Sequence, residues 1–323
     1  MKFLIRADAT RKMGVGHVLR CLALAQELLD NDFEIVFVGD TSEISWVTEK
    51  ILNFGFIASF KTCFEFFGDR SEYILILDSY VIPKEDQFLN KSEWKGIIVF
   101  VDEDTPKYDA DLYIGGLISS DWIAENDVPE EILLKGLEFL PIRKSLHEIK
   151  KSLSLKVPSE GDLKTIIVVG GGSDPTDFCM HISKILLRVE VNFRALIFTN
   201  NSFPVDERFT FLEIGSALDL YLSEADIIFT TCGTSVWEFL YLNIPMGFAL
   251  AAQNQNRNYE ILSTIKNVNA IGCFDDVLGW QLSSEEILST IKRSHLQRFN
   301  ILPLDGLGVS RIFKEIMKRY NLD

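Results

Sequence analysis

Short, mostly apolar segments alternate along the chain with segments in which apolar residues recur at helical spacing. Four of the short segments stand in each half of the chain: KFLIRA (2–7), EIVFVG (34–39), YILILD (73–78), GIIVFV (96–101), TIIVVG (165–170), RALIFT (194–199), ADIIFT (225–230) and PMGFAL (245–250). Such segments are typical of strands buried on both faces, as in parallel sheets that are covered by helices. The pattern therefore predicts an α/β protein in which each half is a βαβ series of Rossmann type.

The length of 323 residues fits two domains of about 150 residues each. Residues 144–164 are rich in Lys, Ser and Glu and contain Pro158 and Gly161, a composition typical of a connector. We therefore expect an N-terminal domain over residues 1–145 and a C-terminal domain over residues 146–323. Apolar residues recur at helical spacing over 309–322, which predicts a terminal helix that is able to cross back to the first domain.

The net charge of −15 opposes non-specific attraction to nucleic acids and to anionic membranes. The N-terminal segment reaches Arg6 too early for a signal-peptide core, and no apolar run of about 18 residues follows. We therefore expect a cytoplasmic protein that is not inserted in a membrane and binds no nucleic acid. We also expect it to be a monomer.

Cysteine and histidine spacings indicate neither a disulfide framework nor a metal site. The five cysteines contain no CxxC pair, and the four histidines show no zinc-binding spacing: Cys21, Cys63, Cys179, Cys232, Cys273, His17, His147, His181 and His295. We expect no metal and no other cofactor.

A strand, a glycine turn and a helix follow one another in RADATRKMGVGHVLRCLALAQELLD (6–30). Gly14 and Gly16 would let the backbone approach a ligand closely, with the N–H groups of the first helical turn directed at it. The alternative is an ordinary tight turn between a strand and a helix.

His17 begins this helix outside its apolar stripe. The positive end of the helix dipole disfavours an imidazolium there, and a neutral imidazole is the usual general base near neutral pH. We consider Asp8, in the same segment, the next candidate base. The alternative is a histidine that caps the helix and has no catalytic role.

Two strand-to-helix junctions in the second half offer hydroxyl and N–H groups to a pyrophosphate: Gly172, Ser173 and Asp174 at the first, and Gly233, Thr234 and Ser235 at the second. Glu238, one turn into the following helix, is able to accept two hydrogen bonds from a ribose diol. The alternative is a capping box, because Ser235 and Glu238 have its S-x-x-E spacing.

A dense set of amides stands at residues 251–262, before another predicted helix. Amides both donate and accept hydrogen bonds, so Asn254, Gln255 and Asn258 are candidates to bind sugar hydroxyls. The alternative is a polar loop, which Asn and Gln also favour.

Six segments, in order, carry a resemblance to a known family: RADAT…MGVGHVLRCLALA, DSY, GLEFLPIR, GGGSDP, CGTSVWEFL-x-L-x-IPM and NQ-x-x-N. They resemble the PseG/SpsG family, the UDP-sugar hydrolases of pseudaminic acid biosynthesis. That family is related to the MurG glycosyltransferases and shares their GT-B fold, in which two Rossmann-type domains face each other with parallel sheets across a cleft. The resemblance covers residues 3 to about 270.

The resemblance implies that water removes UDP from UDP-2,4-diacetamido-2,4,6-trideoxy-β-L-altropyranose. It places His17 and Tyr80, the tyrosine of the DSY segment, at the reacting centre. We also expect Arg20 to contact the substrate. The resemblance also implies that the C-terminal domain holds UDP, with Glu238 on the ribose and the glycine turns on the phosphates. We expect metal-independent attack of water at the anomeric carbon, with inversion. The chain departs from the family at residues 101–117, where VDEDT and YIGGL replace its paired aspartate and asparagine loop.

Two other functions use the same predicted fold. A glycosyltransferase would replace water by a sugar or lipid acceptor, and the Phe-rich stretch FGFIASFKTCFEFFG (54–68) is a candidate acceptor surface. The alternative for that stretch is an ordinary core with a helix face. The third possibility is a module that binds a nucleotide-sugar without catalysis.

Overall fold

The computed structural model describes residues 1–59, 69–80, 82–154, 163–215, 218–266, 268–294 and 304–322. The chain divides into two compact units, the first formed by Met1–Lys144 with Asp305–Asp323 and the second by Ser145–Leu304. Within these described ranges, each unit is built on one sheet of seven strands.

All strands of the first unit pair in parallel, in the order β3-β2-β1-β4-β5-β6-β7. Their bounds are β1 Lys2–Ala7, β2 Glu34–Val38, β3 Ile57–Ser59, β4 Tyr73–Asp78, β5 Gly96–Phe100, β6 Leu112–Ile114 and β7 Leu133–Leu134. The order reverses between β1 and β4. In open α/β sheets, ligands bind outside the carboxyl ends of the strands at such a reversal.

Over the described residues, the α-helices of the first unit are α1 Gly16–Asp30, α2 Ser45–Asn53, α3 Ser120–Asn126 and, at the end of the chain, α10 Gly308–Tyr320. The buried residues of α1 include Val18, Leu22 and Leu28, which pack on one face of the sheet with Phe3 and Ile5. Helix α10 packs against α1 and thereby belongs to the first unit.

The second unit repeats the parallel order as β10-β9-β8-β11-β12-β13 and adds β14 antiparallel to β13. Its strands are β8 Lys164–Val169, β9 Phe193–Phe198, β10 Phe209–Leu212, β11 Ile227–Thr231, β12 Met246–Leu250, β13 Val268–Asp275 and β14 Gly279–Leu282. Its helices are α4 Ser145–Ser154, α5 Phe178–Leu186, α6 Leu218–Leu222, α7 Ser235–Tyr241, α8 Asn256–Ser263 and α9 Ser284–Arg293.

These sheets confirm the predicted α/β class with two Rossmann-type domains. All eight predicted segments form strands, and each group of four forms four neighbouring strands of its seven-stranded sheet. The first part of the predicted connector forms α4, because Leu146 and Leu153 are spaced for one buried helix face. Of the Phe-rich stretch, residues 57–59 form β3, whereas residues 60–68 lie outside the described residues.

No helix among the described residues combines the length and the apolar character needed to cross a membrane.

Candidate active site

Five polar side chains of the first unit meet at the carboxyl ends of β1, β4 and β5. Helix α1, which follows β1, supplies His17 and Arg20; Asp78 is the last residue of β4, Tyr80 follows it, and Asp102 follows β5. Because β1, β4 and β5 are parallel neighbours, their carboxyl ends lie at one edge of the sheet, beside the reversal of strand order.

His17 and Asp78 form a buried hydrogen-bonded pair. His17 Nδ1 lies 2.5 Å from Asp78 Oδ1, and the two residues are 5% and 1% exposed. An ionised carboxylate is only an acceptor, so Nδ1 is the donor, and in the neutral imidazole Nε2 is the nitrogen with the lone pair. His17 is not the N-cap of α1: Val15 occupies that position and makes no side-chain cap hydrogen bond, and the catalytic role of His17 stays a prediction.

Asp78 stays ionised because the positive charge of Arg20 and the hydrogen bonds that the carboxylate accepts outweigh its burial. Burial alone would raise the pKa of this carboxyl, but the charge of Arg20, the proximity of His17 and their hydrogen bonds hold it well below the usual range. Arg20 donates from Nε to Oδ2 at 2.5 Å and from Nη2 to Oδ1 at 2.7 Å. The buried anion is therefore paired in a bidentate manner.

Arg20 also binds a second carboxylate. Its Nη1 and Nη2 atoms donate to Asp102 Oδ1 and Oδ2 at 3.0 and 2.9 Å, and the guanidinium lies 5.3 Å from the centre of the Phe100 ring. The guanidinium is thus committed to two aspartates through four hydrogen bonds. A direct contact between Arg20 and substrate stays a prediction.

Tyr80 lies beside His17 and is anchored by Asp102. Its hydroxyl donates to Asp102 Oδ2 at 2.6 Å, and its ring contacts the imidazole edge to face with centroids 4.4 Å apart. Burial and the negative charge of Asp102 raise the pKa of this phenol, which keeps it protonated at neutral pH. The structure thus brings Tyr80 and His17 together, as the resemblance implies.

Asp8 is placed apart from this hydrogen-bond network. Its carboxylate accepts from Arg6 Nη2 at 2.9 Å and from the backbone N–H of Asp40 at 2.7 Å, and it is 3% exposed. These contacts join the ends of β1 and β2. The catalytic role of Asp8 stays a prediction, and its contacts give it a clear structural role.

The glycine turn before α1 has the backbone that its sequence predicts. Gly14 has φ +84° and donates its N–H to the carbonyl of Thr10 at 2.8 Å, and Gly16 is the first residue of α1. A positive φ is costly for other residues, so Gly14 is required by the turn itself. Substrate contacts of both glycines stay predictions.

At the first predicted phosphate junction, Asp174 accepts hydrogen bonds from the first backbone N–H groups of the following helix. Its carboxylate accepts from the backbone N–H groups of Phe178 and Cys179 at 2.9 and 3.2 Å, at the start of α5. Burial raises the pKa of this carboxyl, against the effect of those hydrogen bonds. Gly172 and Ser173 lie in the preceding turn, and the phosphate contacts of all three residues stay predictions.

At the second junction, Ser235 does not occupy the N-cap position that the alternative capping box requires. Thr234 is the N-cap of α7 and makes no side-chain cap hydrogen bond, whereas Ser235 already lies inside the helix. Gly233 is open, because a Cβ added there would meet no atom within 4 Å. Glu238 is 9% exposed on the same short helix.

The three predicted sugar-binding amides differ in what they contact. Asn258 donates to the carbonyl of Cys232 at 2.9 Å and accepts from Trp237 Nε1 at 3.2 Å, so it joins α8 to the start of α7. Gln255 accepts from the backbone N–H of Ala251 at 3.1 Å, and Asn254 is exposed. Their sugar contacts stay predictions.

Sequence reasoning did not single out Asp78 and Asp102 as functional residues. Asp78 is the last residue of the predicted strand at 73–78, and Asp102 directly follows the predicted strand at 96–101, which was the available signal. Over the described ranges, no group of three or more His, Cys, Asp or Glu side chains is arranged to hold a metal ion.

Comparison with known protein sequences identifies a distant relative but no family. No protein-family model matches the chain. The uncharacterized protein MJ1062 of Methanocaldococcus jannaschii is 26% identical over 285 residues, which is 80% of this chain; the chain spans 58% of the length of that relative.

Solved structures of similar fold cover nearly the whole chain. MurG of Acinetobacter baumannii has a TM-score of 0.61 at 11% identity, over 98% of this chain and 100% of that chain. The UDP-GlcNAc 2-epimerase from Neisseria meningitidis bound to UDP-GlcNAc has a TM-score of 0.61 at 12% identity, over 98% and 100%. CalG4, the calicheamicin glycosyltransferase, has a TM-score of 0.61 at 12% identity, over 99% and 98%. These likenesses confirm a GT-B-like fold.

Proposed function

We propose that this chain is a nucleotide-sugar hydrolase. Water attacks the anomeric carbon of a UDP-linked, di-N-acetylated trideoxyhexose, the bond from that carbon to the phosphate oxygen breaks, and UDP leaves with the electron pair. Direct attack inverts the anomeric configuration. The reaction belongs to nonulosonic acid biosynthesis of the pseudaminic acid type, as the family resemblance implies.

The hydrogen bond between His17 Nδ1 and Asp78 carries the proposal. It assigns the Nδ1–H tautomer, so Nε2 is available to take a proton from water, and the ionised Asp78 stabilises the imidazolium that then forms. Tyr80, in ring contact with His17, is suited to orient the same water.

The second unit supplies the groups that we propose for UDP. Backbone N–H groups near Gly172 and Gly233 would stabilise the negative charge that grows on the leaving diphosphate, and Glu238 would accept from the ribose. The fold likeness to MurG and to the Neisseria epimerase, whose structure is bound to UDP-GlcNAc, supports a nucleotide-sugar as the ligand class.

The decisive experiment supplies UDP-2,4-diacetamido-2,4,6-trideoxy-β-L-altropyranose in H2¹⁸O without an acceptor. We expect UDP release at a rate proportional to enzyme, ¹⁸O in the sugar and none in UDP, and an inverted anomer as the first product by NMR. Label in UDP would mean attack at phosphorus and would overturn the mechanism.

A parallel reaction with a sugar or lipid acceptor tests the transferase alternative. UDP release that requires the acceptor, with a glycosylated product by mass spectrometry, would replace the hydrolase by a glycosyltransferase. Tight UDP binding without turnover under either condition would identify a binding module.

A further inference from the structure

We propose that Arg20 and Asp102 are positioning residues that fix Tyr80 as a hydrogen-bond acceptor beside His17, so that one water gives both of its hydrogens to the pair. This inference rests on the proposed hydrolase function and deepens it. Hydrogen bonds link the five side chains in the order His17, Asp78, Arg20, Asp102 and Tyr80, and the ring contact between Tyr80 and His17 closes the loop. We call this arrangement the circuit.

The direction of each hydrogen bond in this circuit is fixed. Arginine has donors only, so both carboxylates accept from it, and each also accepts from one reactive side chain. The phenol of Tyr80 has a single proton, which it donates to Asp102. Toward any other molecule, the Tyr80 oxygen is therefore an acceptor, as is His17 Nε2.

Two neighbouring acceptors fix the orientation of a water that is bound between them. If one of its hydrogens points to His17 Nε2 and the other to the Tyr80 oxygen, its lone pairs are free to attack carbon. When the oxygen–carbon bond forms, the hydrogen facing His17 transfers to Nε2, and the bond to UDP breaks. Tyr80 keeps its own proton throughout.

The charge of the circuit favours this proton transfer. Two carboxylates carry two negative charges and Arg20 carries one positive charge, so a neutral His17 leaves one negative charge in excess. Protonation of His17 brings the circuit to neutrality.

The test is a double-mutant cycle with Asp102→Asn and Tyr80→Phe, in which kcat and KM are measured from UDP release. We expect each single change to lower kcat by roughly 10–100-fold with KM little changed, since one partner of the water is lost or misdirected. In the Tyr80→Phe background, Asp102→Asn should cost much less than it does alone, because Asp102 acts largely through Tyr80. Asp104→Asn, an equal charge change at an exposed position two residues away, should leave kcat unchanged.

Additive effects of the two changes, or an unchanged kcat in Asp102→Asn, would overturn the positioning role. If Asp102→Asn does not fold, Asp102→Glu keeps the charge but moves the carboxylate, and it should show the same loss and the same non-additivity.

Failure of the hydrolase function has a different signature, namely no UDP release by the unaltered protein. In that case the ¹³C resonance of Tyr80 Cζ tests the hydrogen bond between Tyr80 and Asp102 directly. It should shift in Asp102→Asn and stay in place in Asp104→Asn, and an unmoved resonance in both would overturn the inference.

Discussion

His17 Nδ1 and Asp78 Oδ1 lie 2.5 Å apart, although the two residues are separated by 61 positions in the chain. The pair forms because β1 and β4 are adjacent, so that the start of α1 faces the last residue of β4. Asp78 in turn is held by Arg20, one turn further along α1. A base and the anion that orients it are thus placed by the strand order of the sheet.

Asp78→Asn should destabilise the first unit and slow the reaction. Removing the anion leaves Arg20, whose side chain is 11% exposed, with the carboxylate of Asp102 alone; the cost should stay below the roughly 3–5 kcal/mol of a buried charge that loses its only partner. Turnover should fall together with stability, because an amide is able to bind either tautomer of His17. Chemical denaturation and kcat measure the two effects, with Asp104→Asn as the control for charge.

The stability difference should also depend on pH in one direction. The pKa of Asp78 is depressed in the folded state, so its contribution is complete above the unfolded value of about 3.9 and is lost as pH falls below it. The free-energy difference between the unaltered protein and Asp78→Asn should therefore shrink below about pH 4. A difference that grows toward acid pH would contradict the depressed pKa.

Gly233→Ala should weaken UDP binding without loss of stability. The added Cβ meets no atom of the protein within 4 Å, so the fold accommodates it, but it would stand between the backbone and an approaching phosphate. We expect about tenfold weaker binding, or about 1.4 kcal/mol, by calorimetry.

Gly308→Ala is the matched control with the opposite behaviour. A Cβ at Gly308 would lie 2.0 Å from the carbonyl oxygen of Leu140, so α10 must shift and stability should fall by about 1–3 kcal/mol. UDP affinity of the folded protein should not change. Equal UDP affinity in Gly233→Ala and the unaltered protein would argue against phosphate contact at that junction.

Glu238→Ala should weaken binding of free UDP and of the UDP-sugar alike, by about 1.5–3 kcal/mol, if the carboxylate accepts from the ribose. Calorimetry with UDP and with uridine measures the effect, since both contain the ribose. A lowered melting temperature with unchanged UDP affinity would instead assign Glu238 a role within α7.

Particular residues show how far the sequence predicts the molecule. The apolar segments predict the eight main strands because burial on both faces leaves a continuous apolar run. Strands such as β6 and β14 are short or partly exposed and give no such signal. The contacts of Arg20 with Asp78 and Asp102 could not be predicted from the sequence either, because they span 58 and 82 positions. Asp174 was predicted from its motif, but its hydrogen bonds to Phe178 and Cys179 depend on where α5 begins.

Treatment with EDTA should leave kcat unchanged. Arg20 occupies oxygens of both Asp78 and Asp102, so these carboxylates are already neutralised in part and engaged by a cation of the protein itself. We propose that backbone N–H groups stabilise the leaving diphosphate in place of a metal ion. A large loss of kcat that magnesium restores would contradict this proposal.

His17→Asn should act on the chemical step and spare substrate binding. General-base assistance is worth roughly 10²–10⁴-fold, so kcat should fall by that order while the affinity for UDP stays nearly the same. The rate of the unaltered protein should fall on the acidic side of its pH profile, because a protonated imidazole accepts no proton, and His17→Asn should lack that limb. Tyr80→Phe is the matched control, since it leaves His17 and Asp78 in place and should retain the acidic limb at a lower rate. Normal turnover by His17→Asn would refute its role as the base, and parallel losses of UDP affinity and stability would assign it a structural role instead.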